Sequence, residues 1–391
     1  MMDLYDLAFA KNISGGGTPA PPPPAEKSDV TLYDFDGTII AGYTAAEFAG
    51  LSALPVPPEH EFLTFTGWNY SLTDAKSYVA AHGSLDIGAV YRVTDGKTRL
   101  FITLNDGRLA PTLGLGINGS ADIDWGDGTA HGTMTGTDTT VPVFLQHIYA
   151  APGNYIIAIA PSAGSEIAFS YDDAIDSMIL IKSSSNTSNE SKVYLTSIKK
   201  IYIGDSVTSI GYSAFNYCHG LSSIVISDSV TSIGKYAFNY CYGLSSIVIP
   251  DSVTSIGNSA FGYCYGLPSI VIPDSVTSIG YYEFRDCCGL SSIVIPDSVT
   301  SIGNSTFDGC YGLPSIVIPD SVTSIGNSAF RDCCGLGKLV FEATTPPAVS
   351  NANAFNNVPV DCIIYVPTGT LAAYKAAANY PNPNNYTYRE Y

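Results

Sequence analysis

The chain has 391 residues, a formal net charge of −18, 46% hydrophobic residues and only 13% charged ones. Such an acid excess excludes nucleic acid and anionic membrane surfaces as partners, because both need Lys and Arg to neutralise phosphate. Gly, Pro, Ser and Tyr are abundant while the strong helix formers are scarce, so a mostly β, multi-domain protein with many turns is expected.

No run approaches the roughly 18 uninterrupted apolar residues of a spanning helix, so membrane insertion is not expected. The start, MMDLYDLAFA, is acidic with a short apolar run and does not read as a secretory signal. Residues 1–13 suit one short amphipathic helix. Gly15-Gly-Gly17 and Pro21-Pro-Pro-Pro24 then make a Gly/Pro-rich linker. Residues 1–27 are therefore expected to dock the chain onto a larger assembly.

Residues 28–95 read as a small α+β domain. Strands over Thr31–Phe35 and Thr38–Tyr43 flank Asp36-Gly37, a two-residue hairpin signal. Thr44 and Glu47 form a capping box, Leu72–Ala81 suits a second helix, and Trp68 is a core candidate. The run Leu32-Tyr-Asp-Phe-Asp-Gly-Thr38 also resembles the nucleophile motif of haloacid-dehalogenase-like phosphatases, which would make Asp34 the nucleophile and Asp36 the acid/base. That family needs a large doubly wound core with a downstream Ser/Thr, a Lys and an acidic pair. Only a small domain follows here, and Asp172-Asp173 falls in a connector without alternating strands and helices. The phosphatase is thus a remote alternative, and Asp36-Gly37 is read as a turn. His60, His82, His131, His147 and His219 form no recognised catalytic motif, so no enzyme activity, cofactor or metal is expected.

Residues 97–160 read as successive strands, over Arg99–Leu104, Ala121–Trp125, Val141–Tyr149 and Tyr155–Ala160. Ile123-Asp-Trp-Gly-Asp-Gly-Thr129, His147-Ile-Tyr149 and Pro152-Gly-Asn-Tyr155 together resemble a PKD-type domain, an immunoglobulin-like β-sandwich. Trp125 would fill the space between its sheets and Asp127-Gly128 would turn the chain. Asp124 and Asp127 are read as turn and strand polar groups rather than a metal pair. Residues 161–200 are left as a connector and N-terminal cap.

From residue 201 the sequence repeats every 23 residues. Ile224-Val-Ile226, Ile247-Val-Ile249, Ile270-Val-Ile272, Ile293-Val-Ile295 and Ile316-Val-Ile318 share the period, as do Phe215, Phe238, Phe261, Phe284, Phe307 and Phe330. One unit cannot cover its own apolar side, so units must stack into a solenoid with a parallel strand ladder. Burying one Phe and three branched aliphatics contributes on the order of 6–10 kcal/mol gross per unit, before entropy. Gly257 is expected where the backbone needs room or a positive φ. Cys218, Cys241, Cys264, Cys287, Cys310 and Cys333 form a column at roughly the 4.8 Å strand spacing, read as buried free thiols rather than disulfides or metal ligands. Cys288 and Cys334 are expected to face solvent.

The unit from Leu244 to Cys264 resembles the BspA-type leucine-rich repeat, which implies a right-handed solenoid over 201–345 with a C-terminal cap over 346–391. The same resemblance points to bacterial surface adhesins and to phage particles of similar build, so the expected location is a virion or an extracellular cell surface. The expected role is non-enzymatic recognition of a cell-surface protein or glycan, and a tail protein of this kind is often a symmetric homo-oligomer.

Variation between copies gathers around the cysteine. Tyr217, Tyr240, Tyr242, Tyr263, Tyr265 and Tyr311 fall there and form a candidate contact stripe, because Tyr is amphipathic and has few rotors. His219, Cys288 and Cys334 share the register of Tyr242. The alternative is that these positions face solvent and have drifted between copies.

Overall fold

The computed structural model describes residues 29–105, 109–169, 180–181 and 195–391. The docking segment and linker expected over 1–27 and the Asp172-Asp173 pair lie outside the described residues.

The small domain is a four-stranded sheet of β1 (Val30–Tyr33), β2 (Ile39–Tyr43), β3 (Leu63–Trp68) and β4 (Leu85–Val93) in the order β2-β1-β4-β3. Helix α1 (Ala45–Ala49) starts at the expected capping box: Thr44 Oγ1 accepts from Glu47 N–H at 3.3 Å and Glu47 Oε2 accepts from Thr44 N–H at 2.8 Å. Helix α2 (Leu72–His82) is capped by Ser71 and ends at Gly83, whose φ of +92° is left-handed. The β1–β2 connection is not the two-residue hairpin expected at Asp36-Gly37. It spans 34–38 and is closed by Asp34 N–H donating to Thr38 O at 2.8 Å. The loop is longer because Asp34 turns inward, where its Oδ1 accepts from Phe35 N–H at 2.8 Å and its Oδ2 lies 2.7 Å from His60 Nε2.

The next module holds β5 (Thr98–Leu104), β6 (Thr112–Asp124), β7 (Gly132–Gln146), β8 (Gly153–Pro161), β9 (Glu166–Phe169) and β10 (Leu180–Ile181). β6 and β7 run further than their apolar segments suggest. A bulge between Gly116 and Ile117 bends the pair, so that β6 serves β9 and β10 with one half and β8 with the other. Trp125 is buried and stacks on His147, with ring centroids 4.8 Å apart. Tyr149 donates its hydroxyl to Trp125 O at 2.9 Å. Burial raises the Asp127 carboxyl, but hydrogen bonds from Thr129 and His147 outweigh it and hold the pKa at about 2.

The solenoid begins at Ile198. Its main wall stacks Ile198–Tyr202, Ser223–Val225, Ser246–Val248, Ser269–Val271, Ser292–Val294, Ser315–Ile318, Lys338–Phe341, Ile363–Val366 and Thr387–Glu390. Equivalent residues pair in parallel, as in Ile201↔Ile224, Ile224↔Ile247 and Ile270↔Ile293. A second wall of two- to four-residue strands runs from Val207–Ile210 to Ala348–Val349. Both walls continue into the preceding module: Ile201 pairs antiparallel with Leu100 of β5, and Ile210 pairs parallel with Phe169 of β9. Residues 97–169 are therefore the base of the rod, and one hydrophobic core runs from Leu100 to Tyr388.

Inside the rod, Phe169, Phe215, Phe238, Phe261, Phe284, Phe307, Phe330 and Phe355 form a file of rings with centroids 5.4–5.8 Å apart. All six column cysteines are buried and free, Cys334 is exposed, and Cys288 is half-buried rather than facing solvent. Gly257 supplies room and not a positive φ, since an added Cβ would meet Lys235 N at 2.4 Å. At the far end α3 (Leu371–Ala376) closes the stack, with Tyr374 donating to Ala343 O at 2.7 Å. Among the described residues no helix is long and apolar enough to cross a membrane.

Candidate functional site

In each Ile-Val-Ile wall segment the two isoleucines point into the core, so the central valine points outward. The resulting valine row is covered by the small domain. Val294 packs in one cluster with Val30, Leu32, Phe48 and Ile87, and Val225 in another with Phe35, Ala89 and Tyr91. Polar contacts hold the edges: Arg92 to Asp205 at 2.9 Å, Lys200 to Asp36 at 3.3 Å, and His82 Nε2 to Glu342 Oε1 at 2.8 Å. Crevices of about 80 and 30 Å³ remain between the two surfaces, which is room for waters and not for a ligand.

The Asp34 loop lies inside this contact. Asp34 is 2% exposed, and Ser246 Oγ donates to its backbone oxygen at 3.5 Å. A Cβ on Gly37 would approach Ser245 O to 3.2 Å. Asp34 thus faces His60 inside the contact, and Asp36 is engaged by Lys200 at 3.3 Å.

The loop edge of the rod is different. Tyr217, Tyr240 and Tyr263 stack in one column, with centroids 4.8 and 4.4 Å apart. His219, Tyr242 and Tyr265 form a second column with steps of 4.3 and 4.7 Å. The columns run side by side at 6.0–6.2 Å, giving a patch of six half-buried rings. His219 belongs to this patch although the sequence reading left it out of the stripe. Tyr311 stands apart, 49% exposed, with Cys288 and Cys334 in the register positions either side of it.

The backbone under the first column is unusual. Tyr217, Tyr240 and Tyr263 have φ of +64°, +59° and +60°. Later turns fill the same register with Asp286, Gly309, Asp332 and Asn357, also at positive φ. Those four are types that tolerate the left-handed region, and Tyr is not. Each tyrosine there costs about 1–2 kcal/mol of backbone energy.

Beyond Tyr263 the edge becomes charged. The Arg285 guanidinium lies 5.7 Å from the Tyr263 ring centre, and Arg331 grips Asp308 with two bonds of 2.8 and 2.5 Å. Asp332 accepts from Asn357 Nδ2 at 2.6 Å. By contrast, segments 216–220, 239–243 and 262–266 hold no carboxylate. Burial raises the Tyr263 hydroxyl above the ordinary range, which keeps it neutral.

Among known families, the model of the BspA type leucine rich repeat region matches in six copies, over residues 165–267 and 231–360. Among solved structures, the chain is similar to a leucine rich repeat protein of T. pallidum, with 32% identity over 36% of this chain and 66% of that one, TM-score 0.33. It is also similar to a leucine rich cell surface protein from Faecalibacterium prausnitzii, with 26% identity over 58% of this chain and 62% of that one, TM-score 0.40. A leucine-rich repeat protein from Bacteroides ovatus gives 24% identity over 44% and 63%, TM-score 0.26. The chain thus spans slightly under two thirds of the length of these solved chains. No curated protein matches it.

Proposed function

Because the chain belongs to the BspA-type leucine-rich repeat family, we propose that it is a non-enzymatic recognition protein whose contact surface is the tyrosine edge of the first three turns. The observation that carries this is the left-handed backbone at Tyr217, Tyr240 and Tyr263. Packing does not demand Tyr there, since later turns close with Asp, Gly or Asn at the same register. Tyr236 and Tyr282 carry the same left-handed backbone elsewhere, and what sets the three apart is that their strained positions also align the rings into one stacked column at the edge.

In this reading the small domain closes the main wall and leaves the edge as the open face. Residues 97–160, as a PKD-type module, form a rigid base that holds the rod away from its anchor. Two carriers suit such a part, a phage tail or virion and a bacterial cell surface, and both bring the edge to a cell. Mass spectrometry of purified particles against cell envelopes separates them. The function itself is tested by binding of the labelled full chain to a panel of bacterial and animal cells. Saturable binding displaced by unlabelled chain is expected. Absence of saturable binding to every cell type would sink the proposal.

A further inference from the structure

We propose that the partner of the tyrosine patch is a neutral polysaccharide lying along the rod, an inference that rests on the patch being the contact surface. Three observations lead there. First, the chain carries a net charge of −18, yet the segments 216–220, 239–243 and 262–266 hold neither Asp nor Glu. A partner rich in charges would lose hydration on this surface and find no counter-charge between Lys199, whose Nζ lies beside Gly220, and Arg285 and Asp286. An uncharged polyol loses far less.

Second, the rings repeat along the rod every 4.3–4.8 Å, so a regular polymer lying along it meets the same surface at each turn. His219 is tilted 44° to Tyr242, but the three Tyr–Tyr steps are near parallel, and parallel rings with centroids that far apart are offset, because touching carbons sit only about 3.5–4.0 Å apart. Offset stacking leaves part of each face uncovered. A pyranose presents an apolar C–H face that packs on such a surface.

Third, the patch is bordered by a flat strip. Gly243, Gly266 and Gly289 are exposed, and an added Cβ would meet the carbonyl oxygens of His219, Tyr242 and Tyr265 at 2.8, 2.8 and 2.3 Å. The nearest atoms to each of these three positions are backbone; one turn earlier, at Gly220, the Lys199 Nζ comes within 2.9 Å of an added Cβ and bounds the strip. The platform ends where the Arg285, Asp286, Asp308 and Arg331 network begins.

Native affinity electrophoresis of the full chain tests this, in gels containing dextran, mannan or hydroxyethylcellulose, with alginate as the anionic control. At least one neutral polymer should retard the protein and alginate should not. The double variant Tyr240→Asn and Tyr263→Asn, which places a left-handed-tolerant residue at each site, should lose at least tenfold in affinity at unchanged Tm. Tyr311→Ala should bind as the parent does. Failure of all three neutral polymers, equal retardation by alginate, or full retardation of the double variant would overturn the inference. Cells treated with periodate or with protease separate it from the broader function. Attachment lost to protease and kept after periodate would make the ligand a protein, leaving the recognition role intact and the polysaccharide refuted.

Discussion

Cys264 Sγ donates to the Phe238 backbone oxygen at 3.3 Å, one turn away. The same bond recurs from Cys241 to Phe215, Cys287 to Phe261, Cys310 to Phe284 and Cys333 to Phe307 at 3.1–3.2 Å. Burial pushes these thiols well above their usual pKa, so thiolate is negligible at neutral pH. Burial also raises Cys288, to about 11. Iodoacetamide on the native protein at pH 7.5 should therefore label Cys334 first, Cys288 slowly, and the column only after unfolding. Peptide mass spectrometry reads the order, and early labelling of Cys241 or Cys264 would contradict it.

Phe261 sits between Phe238 and Phe284 at 5.4 and 5.8 Å and is fully buried. Its replacement by Ala removes a ring that two neighbouring turns cannot collapse to fill. The cost should be about 3–5 kcal/mol. Chemical denaturation of parent and variant measures it, and a shift below 1 kcal/mol would argue against tight stacking.

Glu283 occupies a position held by Ala214, Ala237, Ala260, Thr306 and Ala329 in other turns. It is 1% exposed and neither carboxyl oxygen has a hydrogen-bond partner. Beside it the second wall is interrupted, with Ile279 making only an isolated bridge to Ile302. Burial raises the carboxyl well above its usual pKa, the Ala260 backbone offsetting little. Below the unfolded value both states carry the proton and the site costs least. As pH rises from there towards the folded value, the unfolded state ionises first and stability is lost. Glu283→Ala should therefore stabilise the protein by about 1–3 kcal/mol at pH 7, with the gain shrinking towards pH 4. A Tm difference independent of pH would show that the carboxyl is not the cause.

Val294 faces out of the wall yet is only 8% exposed, because the small domain sits on it. Val294→Asp would bury an unpaired charge between the two surfaces without touching the rod's interior. The small domain should lift. Hydrogen exchange should then accelerate in residues 29–95 and along the wall, while the Phe file keeps its protection. Unchanged exchange in both places would mean that the contact does not depend on this row.

Much of the rod was legible because every turn repeats the same inward constraint: Phe261, Cys264 and the flanking isoleucines recur wherever the core needs them. The cover over the wall was not. The central valine is the same letter in each full copy whether water or a second domain lies outside it, so repetition hides the contact. Pairing of Ile201 with Leu100 left no local mark either, since partners a hundred residues apart share no turn or spacing signal. Gly257 provides room rather than a positive φ, and the left-handed positions of the repeats carry Tyr, Ser, Asp, Asn and a single Gly, Gly309. Propensity argues against Tyr there, which is why sequence alone could find the tyrosines but not the backbone cost that Tyr217, Tyr240 and Tyr263 share with Tyr236 and Tyr282.

The decisive measurement is cell attachment by the full chain against its Tyr240→Asn and Tyr263→Asn double variant, at matched Tm. Loss of ring stacking, about 0.5–1.5 kcal/mol per pair, and relief of the left-handed backbone should roughly cancel in stability. Attachment reduced tenfold or more is the predicted result. Attachment equal to that of the parent would contradict the assignment of the tyrosine edge as the contact surface.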